Sequence, residues 1–376
     1  MSYKINNIVD VNILTDTLYR GAINFRAPPV IEIPVIFPPL DWADYPSPPI
    51  NFQGIATDGV STWFCWTMHT AAVASRVFKS TDNRVTWVEQ IGFLVNSTTR
   101  LTSMVFSNGT WLAAMDANNY TAKFAIRRSI DGGVSWIDFT SFPYGTSFLG
   151  ALASDGAGNW GVIKGNHLYV SYNDGVSFAY IYPSPPQFNT CGEIKHTSHG
   201  WFLCVVGEHT THGKVYKGAT LDTLVRIDDS WSVTNPNIRG VTVNSDTGTL
   251  IFYSGNAIAL YPNGFVSSLD NLVLRSTDGG VSVDEVLPAG INSGITDPDY
   301  TSFACHDGVW VMTSYTGFTA YSIDDAITFA PLERSLGHIP AASATIGNVY
   351  KFGTDWICSS YATSTALIPP RISYGV

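Results

Sequence analysis

A tight turn followed by a strand that opens on a large apolar side chain recurs seven times along the chain. In the first copy, Asp58-Gly59 precedes Trp63. Because Asp-Gly and Asn-Gly supply the positive φ of a short hairpin turn, each copy predicts two antiparallel strands. The residues that open the seven strands are 41 to 60 positions apart: Trp63, Trp111, Trp160, Trp201, Leu250, Trp310 and Trp356. Repeats of this length that consist of strands and turns predict the blades of a β-propeller.

A second motif, Ser-x-Asp-x-Gly-x-Ser/Thr-Trp, follows most copies of the first. The clearest example is Ser129-Ile130-Asp131-Gly132-Gly133-Val134-Ser135-Trp136. Ser and Asp side chains bind the amides of their own turn, and Gly adopts a positive φ, so the motif predicts a tight turn. Five copies begin at Ser80, Ser129, Ser171, Ser276 and Ser322, and a degenerate sixth is expected near residues 217–222.

These motifs resemble the Asp-box, or BNR, repeat of sialidases and related propellers. In that family the box is the turn between the third and fourth strands of a blade, and it stabilises the turn without taking part in catalysis. The resemblance and the repeats together predict an all-β chain: a seven-bladed β-propeller of four-stranded antiparallel blades with Asp-box turns.

The two ends of the chain suggest how the ring closes. The seventh copy, at Trp356, leaves no room for a box and a fourth strand before the chain ends. An open strand edge is a liability, and residues 31–37 form an alternating β-rich run. We therefore expect an N-terminal strand at about 31–37 to complete the last blade. Residues 30–376 would form the propeller, and residues 1–29 would be an N-terminal docking arm.

Composition and charge exclude several classes of function. Charged residues make up 13% of the chain, and the formal net charge is −10. Recognition of phosphates needs clustered Lys and Arg, so a nucleic-acid partner is not expected. The first residues lack the basic start and apolar core of a secretory signal, and no apolar stretch is long enough for a membrane span. We expect a protein made in the cytoplasm of a host cell.

The five cysteines are too few and too scattered to predict a disulfide framework. Three of them fall in the second strand of a repeat, where a small buried side chain is the simplest interpretation: Cys65, Cys204 and Cys358.

The resemblance to sialidases raises the question of an active site. Sialidases hold the substrate carboxylate with three arginines, one of them from a Phe/Tyr-Arg-Ile-Pro motif, which Phe25-Arg26-Ala27-Pro28 resembles except at Ala27. The other candidates are Arg239, Arg334 and Arg371, because Arg84, Arg127, Arg128 and Arg275 belong to box turns or their strands.

Two further features argue against a sialidase. The family also needs a Tyr nucleophile backed by a Glu, and an Asp acid. No such Tyr–Glu arrangement is recognisable around the main glutamates: Glu32, Glu89, Glu193, Glu208, Glu285 and Glu333. Sialidases have six blades, whereas this sequence predicts seven. We therefore predict no catalytic residues.

Metal and cofactor sites are not predicted either. The pairs His196/His199 and His209/His212 have a spacing that can bind zinc on a helix, but they lie in loop-like surroundings. Asp297/Asp299 and Asp324/Asp325 could contact calcium, although turn chemistry explains both pairs.

The sequence favours a non-catalytic structural or recognition protein of a bacteriophage virion, a tail component present in multiple copies. Residues 7–28 resemble the start of the tail-sheath proteins of contractile phages, through Val9-Asp10-Val11-Asn12, Arg20-Gly21-Ala22 and the segment at 25–28. The expected partners are other virion proteins, bound through the arm, with host surface glycan as a further candidate ligand. The alternatives are a sialidase-type exo-glycosidase and a generic interaction platform.

Overall fold

Six four-stranded antiparallel sheets account for most of the structure, a computed structural model. It describes residues 42–44, 52, 54–67, 75–94, 99–117, 125–139, 149–164, 167–181, 190–206, 214–231, 238, 240–254, 273–286, 300–314, 318–329, 333–334, 344–352, 355–362 and 373–375. The chain separates into two units, residues 1–36 and 37–376, and all the described residues belong to the second. The predicted boundary between arm and propeller at 29/30 lies outside the described residues.

A short strand, β1 (Trp42–Asp44), comes before the first three sheets. Blade 1 consists of β2 (Gly54–Thr57), β3 (Trp63–Trp66), β4 (Val77–Ser80) and β5 (Val88–Glu89). Blade 2 consists of β6 (Thr99–Ser107), β7 (Thr110–Ala117), β8 (Ala125–Ser129) and β9 (Ile137–Phe139). Blade 3 consists of β10 (Leu149–Ser154), β11 (Trp160–Lys164), β12 (His167–Ser171) and β13 (Ala179–Tyr180).

The next three sheets repeat this arrangement. Blade 4 consists of β14 (Thr190–Thr197), β15 (Gly200–Val206), β16 (Lys214–Gly218) and β17 (Val225–Arg226), with 3₁₀ helices at Leu221–Thr223 and Asp228–Ser230. Blade 5 consists of β18 (Gly240–Val243), β19 (Leu250–Tyr253), β20 (Val273–Ser276) and β21 (Asp284–Glu285). Blade 6 consists of β22 (Tyr300–His306), β23 (Val309–Ser314), β24 (Phe318–Ser322) and β25 (Glu333–Arg334).

The prediction of seven four-stranded blades is wrong, because the described residues form six. The seventh copy of the turn-and-aromatic pattern forms only a hairpin, β26 (Ala344–Phe352) with β27 (Asp355–Ala362). The pattern marks the first hairpin of a blade and carries no information about its two outer strands. This explains why counting the copies gave one four-stranded blade too many.

A strand from the N-terminal side does pair with the end of the chain. Trp42 of β1 faces Gly375 of β28 (Ser373–Gly375), and the two strands are antiparallel. The segment predicted for this pairing, residues 31–37, lies outside the described residues.

The core lies between successive blades rather than at one central point. The first strands of neighbouring blades pack against one another from β2 to β26, which places them at the centre of the propeller. The second strands lie in the middle of each sheet and are covered on both faces. Their opening residues in the six blades are buried: Trp63, Trp111, Trp160, Trp201, Leu250 and Trp310. Cys65 and Cys204 are also buried as predicted, and burial raises the pKa of both thiols.

The five predicted Ser-x-Asp turns join the third and fourth strands of blades 1, 2, 3, 5 and 6; we call them the Ser–Asp turns. In blade 2, Ser129 Oγ donates to Asp131 Oδ1 (2.7 Å) and accepts the amide of Gly133 (2.9 Å). Asp131 also accepts the amides of Val134 (3.1 Å) and Ser135 (2.9 Å). Hydrogen bonds from the Ser135 hydroxyl and amide and from Ser129 lower the pKa of Asp131.

The same bonds recur in the other Ser–Asp turns, with local differences. In blade 5, burial alone would raise the pKa of Asp278, but hydrogen bonds from Ser282 and Ser276 lower it to about 2. The fifth position needs a positive φ, which Gly133 adopts at 76°, whereas blades 1 and 6 place Arg84 (74°) and Ala326 (62°) there. In blade 4 the expected degenerate copy is instead the 3₁₀ helix at Leu221–Thr223.

The described residues contain no helix long and apolar enough to cross a membrane.

Candidate functional site

Little of the predicted carboxylate site falls within the described residues. Arg26, Arg239 and Arg371 lie outside them, as does the segment that resembles the sialidase motif. Arg334 lies in β25, the outermost strand of blade 6, far along the sheet from the first strand at the centre. Arg334 is therefore not on a central strand of the propeller.

The arginines assigned to the turns and their strands do lie there, and two of them link neighbouring blades. Arg128, the residue before the Ser–Asp turn of blade 2, donates from Nε to the carbonyl oxygen of Asp174 (2.8 Å) in blade 3. Its Nη2 lies 3.2 Å from the Asp174 carboxylate. The Thr110 hydroxyl of blade 2 and the indole Nε1 of Trp160 also donate to that carboxylate.

Blades 5 and 6 repeat this arrangement residue for residue. Arg275 donates from Nε to the Asp325 carbonyl oxygen (2.8 Å), and its Nη2 lies 3.3 Å from the Asp325 carboxylate. Thr249 and the indole of Trp310 donate to the same carboxylate, as Thr110 and Trp160 do to Asp174. Asn244 adds a bond of 2.8 Å. These arginines bind the turn of the next blade and are held in that contact.

Of the four pairs whose spacing could suit a metal ion, the two in the described residues make contacts within the fold. Asp324 binds its own turn, through the amide of Thr328 (2.9 Å) and the Ser322 hydroxyl (2.7 Å), whereas Asp325 binds the neighbouring blade. His199 Nε2 lies 2.7 Å from the Gly248 carbonyl oxygen in blade 5, and the His196 ring packs on Trp201. Within the described part of the chain, no group of three or more His, Cys, Asp or Glu could hold a metal ion. His209, His212, Asp297 and Asp299 lie outside that part.

The structure brings together one polar group on the central strands that the sequence did not reveal. Glu193 lies in β14 of blade 4, beside an irregularity in the pairing with β15. Its Oε2 accepts the amide of Val241 (2.9 Å) and lies 3.4 Å from the Tyr253 hydroxyl, both in blade 5. Lys195 Nζ lies 3.9 Å from Oε1. The two glutamate partners are 48 and 60 residues away in sequence, so no local pattern could have predicted the group.

Gly240 makes this approach possible. A Cβ atom at Gly240 would lie 2.3 Å from the Tyr253 hydroxyl oxygen and 2.4 Å from Glu193 Oε2. A side chain there would displace one of the two groups. The absence of a side chain at this glycine therefore allows a carboxylate from one blade to reach the main chain of the next.

Glu193 and its neighbours form a polar surface that is suited to hydrogen bonding. Glu193 and Lys195 are each about one-third exposed, so a carboxylate and an ammonium group are offered side by side on the central strand of blade 4. Such a pair can bind the amides of a peptide or the hydroxyls of a sugar. Tyr253 is only 6% exposed, which is a poor position for a nucleophile that must reach a substrate.

The folded chain is an all-β propeller of four-stranded antiparallel blades. It is similar to two structures of YCF48, both at 12% sequence identity. For the one described as bound to D1 peptide, the TM-score is 0.62, and the match covers 91% of this chain and 98% of the other. For YCF48 from Cyanidioschyzon merolae, the TM-score is 0.61 and the coverages are 89% and 98%.

Glycoside hydrolase propellers are also similar. A GH74 xyloglucanase from Xanthomonas campestris matches with a TM-score of 0.55 at 14% identity, over 86% of this chain and 54% of the enzyme. No protein-family model and no curated protein matches the sequence. At these identities the similarities establish the propeller fold alone.

Proposed function

We propose that the protein is a non-catalytic structural and recognition propeller of a phage virion, a tail component related to the Asp-box propellers. In this proposal the chain is present in multiple copies and docks on other virion proteins through residues 1–29. Host surface glycan is a second candidate ligand, with Glu193 and Lys195, each about one-third exposed, as its contact points.

The observation that carries the proposal is how the described propeller uses its charged side chains. The turn carboxylates bind their own turns, and Arg128 and Arg275 bind the turn of the next blade. These contacts stabilise the framework and leave its loops to make contacts with partners. A rigid framework that presents loops and edges is suited to binding other macromolecules.

Two further observations support this proposal. A propeller of similar fold has been solved with a peptide bound, which is a precedent for a protein partner on this architecture. The sequence of residues 5–13, Ile5-Asn6-Asn7-Ile8-Val9-Asp10-Val11-Asn12-Ile13, is apolar enough to bind to another protein surface.

The test compares the full-length chain with a variant that lacks residues 1–29. Both are purified, checked for the same β-sheet circular dichroism and thermal transition, and tested for self-association and for incorporation into phage particles. We expect the deletion variant to remain folded and to lose incorporation. Incorporation at the full-length level would contradict the arm as the docking element.

A sialidase-type glycosidase is the second candidate, favoured by the contact between Tyr253 and Glu193. It predicts cleavage of a fluorogenic sialoside that Tyr253→Phe abolishes, while Tyr172→Phe, which removes an exposed hydroxyl elsewhere, leaves cleavage unchanged. Our proposal predicts no cleavage by either variant or by the unmodified protein.

A further inference from the structure

Every Ser–Asp turn exposes one β-branched aliphatic side chain at its sixth position. These five residues, which we call the rim residues, are 51% to 78% exposed: Val85, Val134, Val176, Val281 and Ile327. At the second position of three turns a further apolar side chain is exposed: Ile130, Tyr172 and Ile323. The turns therefore present apolar surface in every blade that has one.

The turn itself does not need these side chains. Its side-chain hydrogen bonds come from the first, third and seventh residues, and in blade 2 the sixth residue, Val134, contributes only its main-chain amide. Exposed apolar residues that are scattered singly are ordinary on protein surfaces. Aliphatic residues at the same position of all five turns are not scattered, so a common role is the simpler explanation.

The rim residues lie on one face of the propeller. The turn between the first and second strands of a blade lies beside the Ser–Asp turn, because the Asp174 amide donates to the Gly158 carbonyl oxygen (2.9 Å). Between blades, the Thr247 hydroxyl lies 3.1 Å from Asp325 Oδ1. Turns of both kinds thus lie at the same end of the sheets, and the rim residues lie at that end in blades 1, 2, 3, 5 and 6.

The charges on this face indicate what can bind there. The exposed carboxylates of Asp82, Asp131 and Asp278 lie within the same turns, three residues before a rim residue, and hydrogen bonds lower the pKa of each. They are therefore ionised at neutral pH. A second copy stacked face to face, or an anionic membrane, would bring negative charges together. Sugars stack on aromatic faces, whereas the rim residues are aliphatic.

We propose that the rim residues form a docking surface for another protein whose contact patch alternates apolar side chains with Lys or Arg. The aliphatic side chains would bury apolar area, and the turn carboxylates would steer the basic groups. This proposal concerns residues other than those of the arm at 1–29 and does not depend on the virion proposal.

The test uses a synthetic fluorescent peptide that alternates Leu and Lys. The variant carries Val134→Thr, Val176→Thr, Val281→Thr and Ile327→Thr, which keep the branched shape and remove apolar surface. The control is Ile91→Thr, because Ile91 is 93% exposed beyond β5, at the end of blade 1 opposite the turn. We expect binding to the full-length protein and to the control, and a loss of affinity of about tenfold or more in the variant.

Control peptides, self-association and vesicle binding distinguish a basic, apolar protein partner from other ligands of this surface. Peptides that alternate Leu with Glu, or Ser with Lys, should bind at least tenfold more weakly than the Leu–Lys peptide. Equal binding by the Leu–Glu peptide, or unchanged affinity in the fourfold variant, would overturn the proposal. The proposal would also be overturned if the unmodified protein self-associated, or bound vesicles that contain phosphatidylserine, and the fourfold variant did not.

Discussion

The contact between blades 2 and 3 differs in kind from the contact between blades 3 and 4. In the first, Arg128 and Thr110 bind Asp174 in the Ser–Asp turn of blade 3. In the second, the position equivalent to Arg128 is Val170, which packs in an apolar cluster with Leu221 from the 3₁₀ helix of blade 4. The two contacts differ because blade 3 has a Ser–Asp turn and blade 4 does not.

The side chain at this position depends on the next blade in the same way at all the described contacts from blade 1 to blade 6. The residue before the end of the third strand is a cation wherever the next blade has a Ser–Asp turn: Lys79, Arg128, Lys217 and Arg275. Lys217 Nζ donates to the Gly279 carbonyl oxygen (2.7 Å), the fourth residue of the turn in blade 5. Burial lowers the pKa of Lys79, and the Asp131 carboxylate in the turn of blade 2 partly offsets that effect. The cation of one blade and the turn of the next therefore form one structural unit.

Blade 4 has no turn carboxylate, but it has a buried carboxylate at the opposite end of its two outer strands, and removing that carboxylate should have the largest effect. The side chain of Asp228 is 1% exposed and binds Arg226 (2.7 Å) and the amide of Val215 (2.9 Å). Asp228→Ala would leave the Val215 amide without its partner and would remove the buried carboxylate from the Arg226 ion pair, so we expect a loss of about 3 kcal/mol in the free energy of unfolding, measured with urea.

The matched control for this variant is Asp229→Ala. Asp229 binds the same arginine at 2.8 Å but is 68% exposed. Because exposed ion pairs contribute little, its loss should change stability by less than about 0.5 kcal/mol. Equal effects of the two variants would show that blade 4 does not depend on a buried carboxylate.

The next largest loss of stability is expected when a cation is introduced in the third strand of blade 3, because blade 4 has no Ser–Asp turn to bind it. Val170 is 3% exposed, and blade 4 offers no Ser–Asp turn to bind an ammonium group. We expect Val170→Lys to lower the free energy of unfolding by about 2 kcal/mol, and Val170→Met by less than about 1.5 kcal/mol. A Val170→Lys variant as stable as the unmodified protein would break the relation between cation and turn.

The turns themselves should respond to acid with a smaller effect. The pKa of Asp278 is about 2 in the folded protein against 3.8 ordinarily, so its contribution is present above about pH 4 and is lost as the pH falls towards 2. Blade 3 already has Asn173 at the equivalent position, where its Oδ1 accepts the Ser177 amide (3.0 Å).

These two residues allow a reciprocal measurement. The melting temperature is recorded from pH 5 to pH 2 for Asp278→Asn, for Asn173→Asp and for the unmodified chain. The first variant should show a shallower dependence on pH than the unmodified chain, and the second a steeper one. The same pH dependence in all three would mean that the turn carboxylates do not contribute to acid stability.

Local sequence patterns predicted the structural elements that are formed by residues close to one another in the sequence. The second strands, the large residues that open them and the five Ser–Asp turns follow from the spacing of glycine, serine, aspartate and tryptophan. The number of four-stranded blades could not be predicted from this spacing, because a hairpin alone satisfies the pattern around Trp356. Contacts between blades, such as Glu193 with Val241, join residues about one repeat apart, and no pattern in a single blade reveals them.

The most direct test of the unit formed by cation and turn is a double-mutant cycle at the contact between blades 5 and 6. Arg275→Met, Asp325→Asn and the double variant are compared with the unmodified protein by urea unfolding. The side chains are 17% and 23% exposed, so the contact is only partly screened by solvent. We predict a coupling free energy of about 1 kcal/mol or more. Effects that add to within about 0.3 kcal/mol would show that the cation and the turn act independently, and would contradict the account.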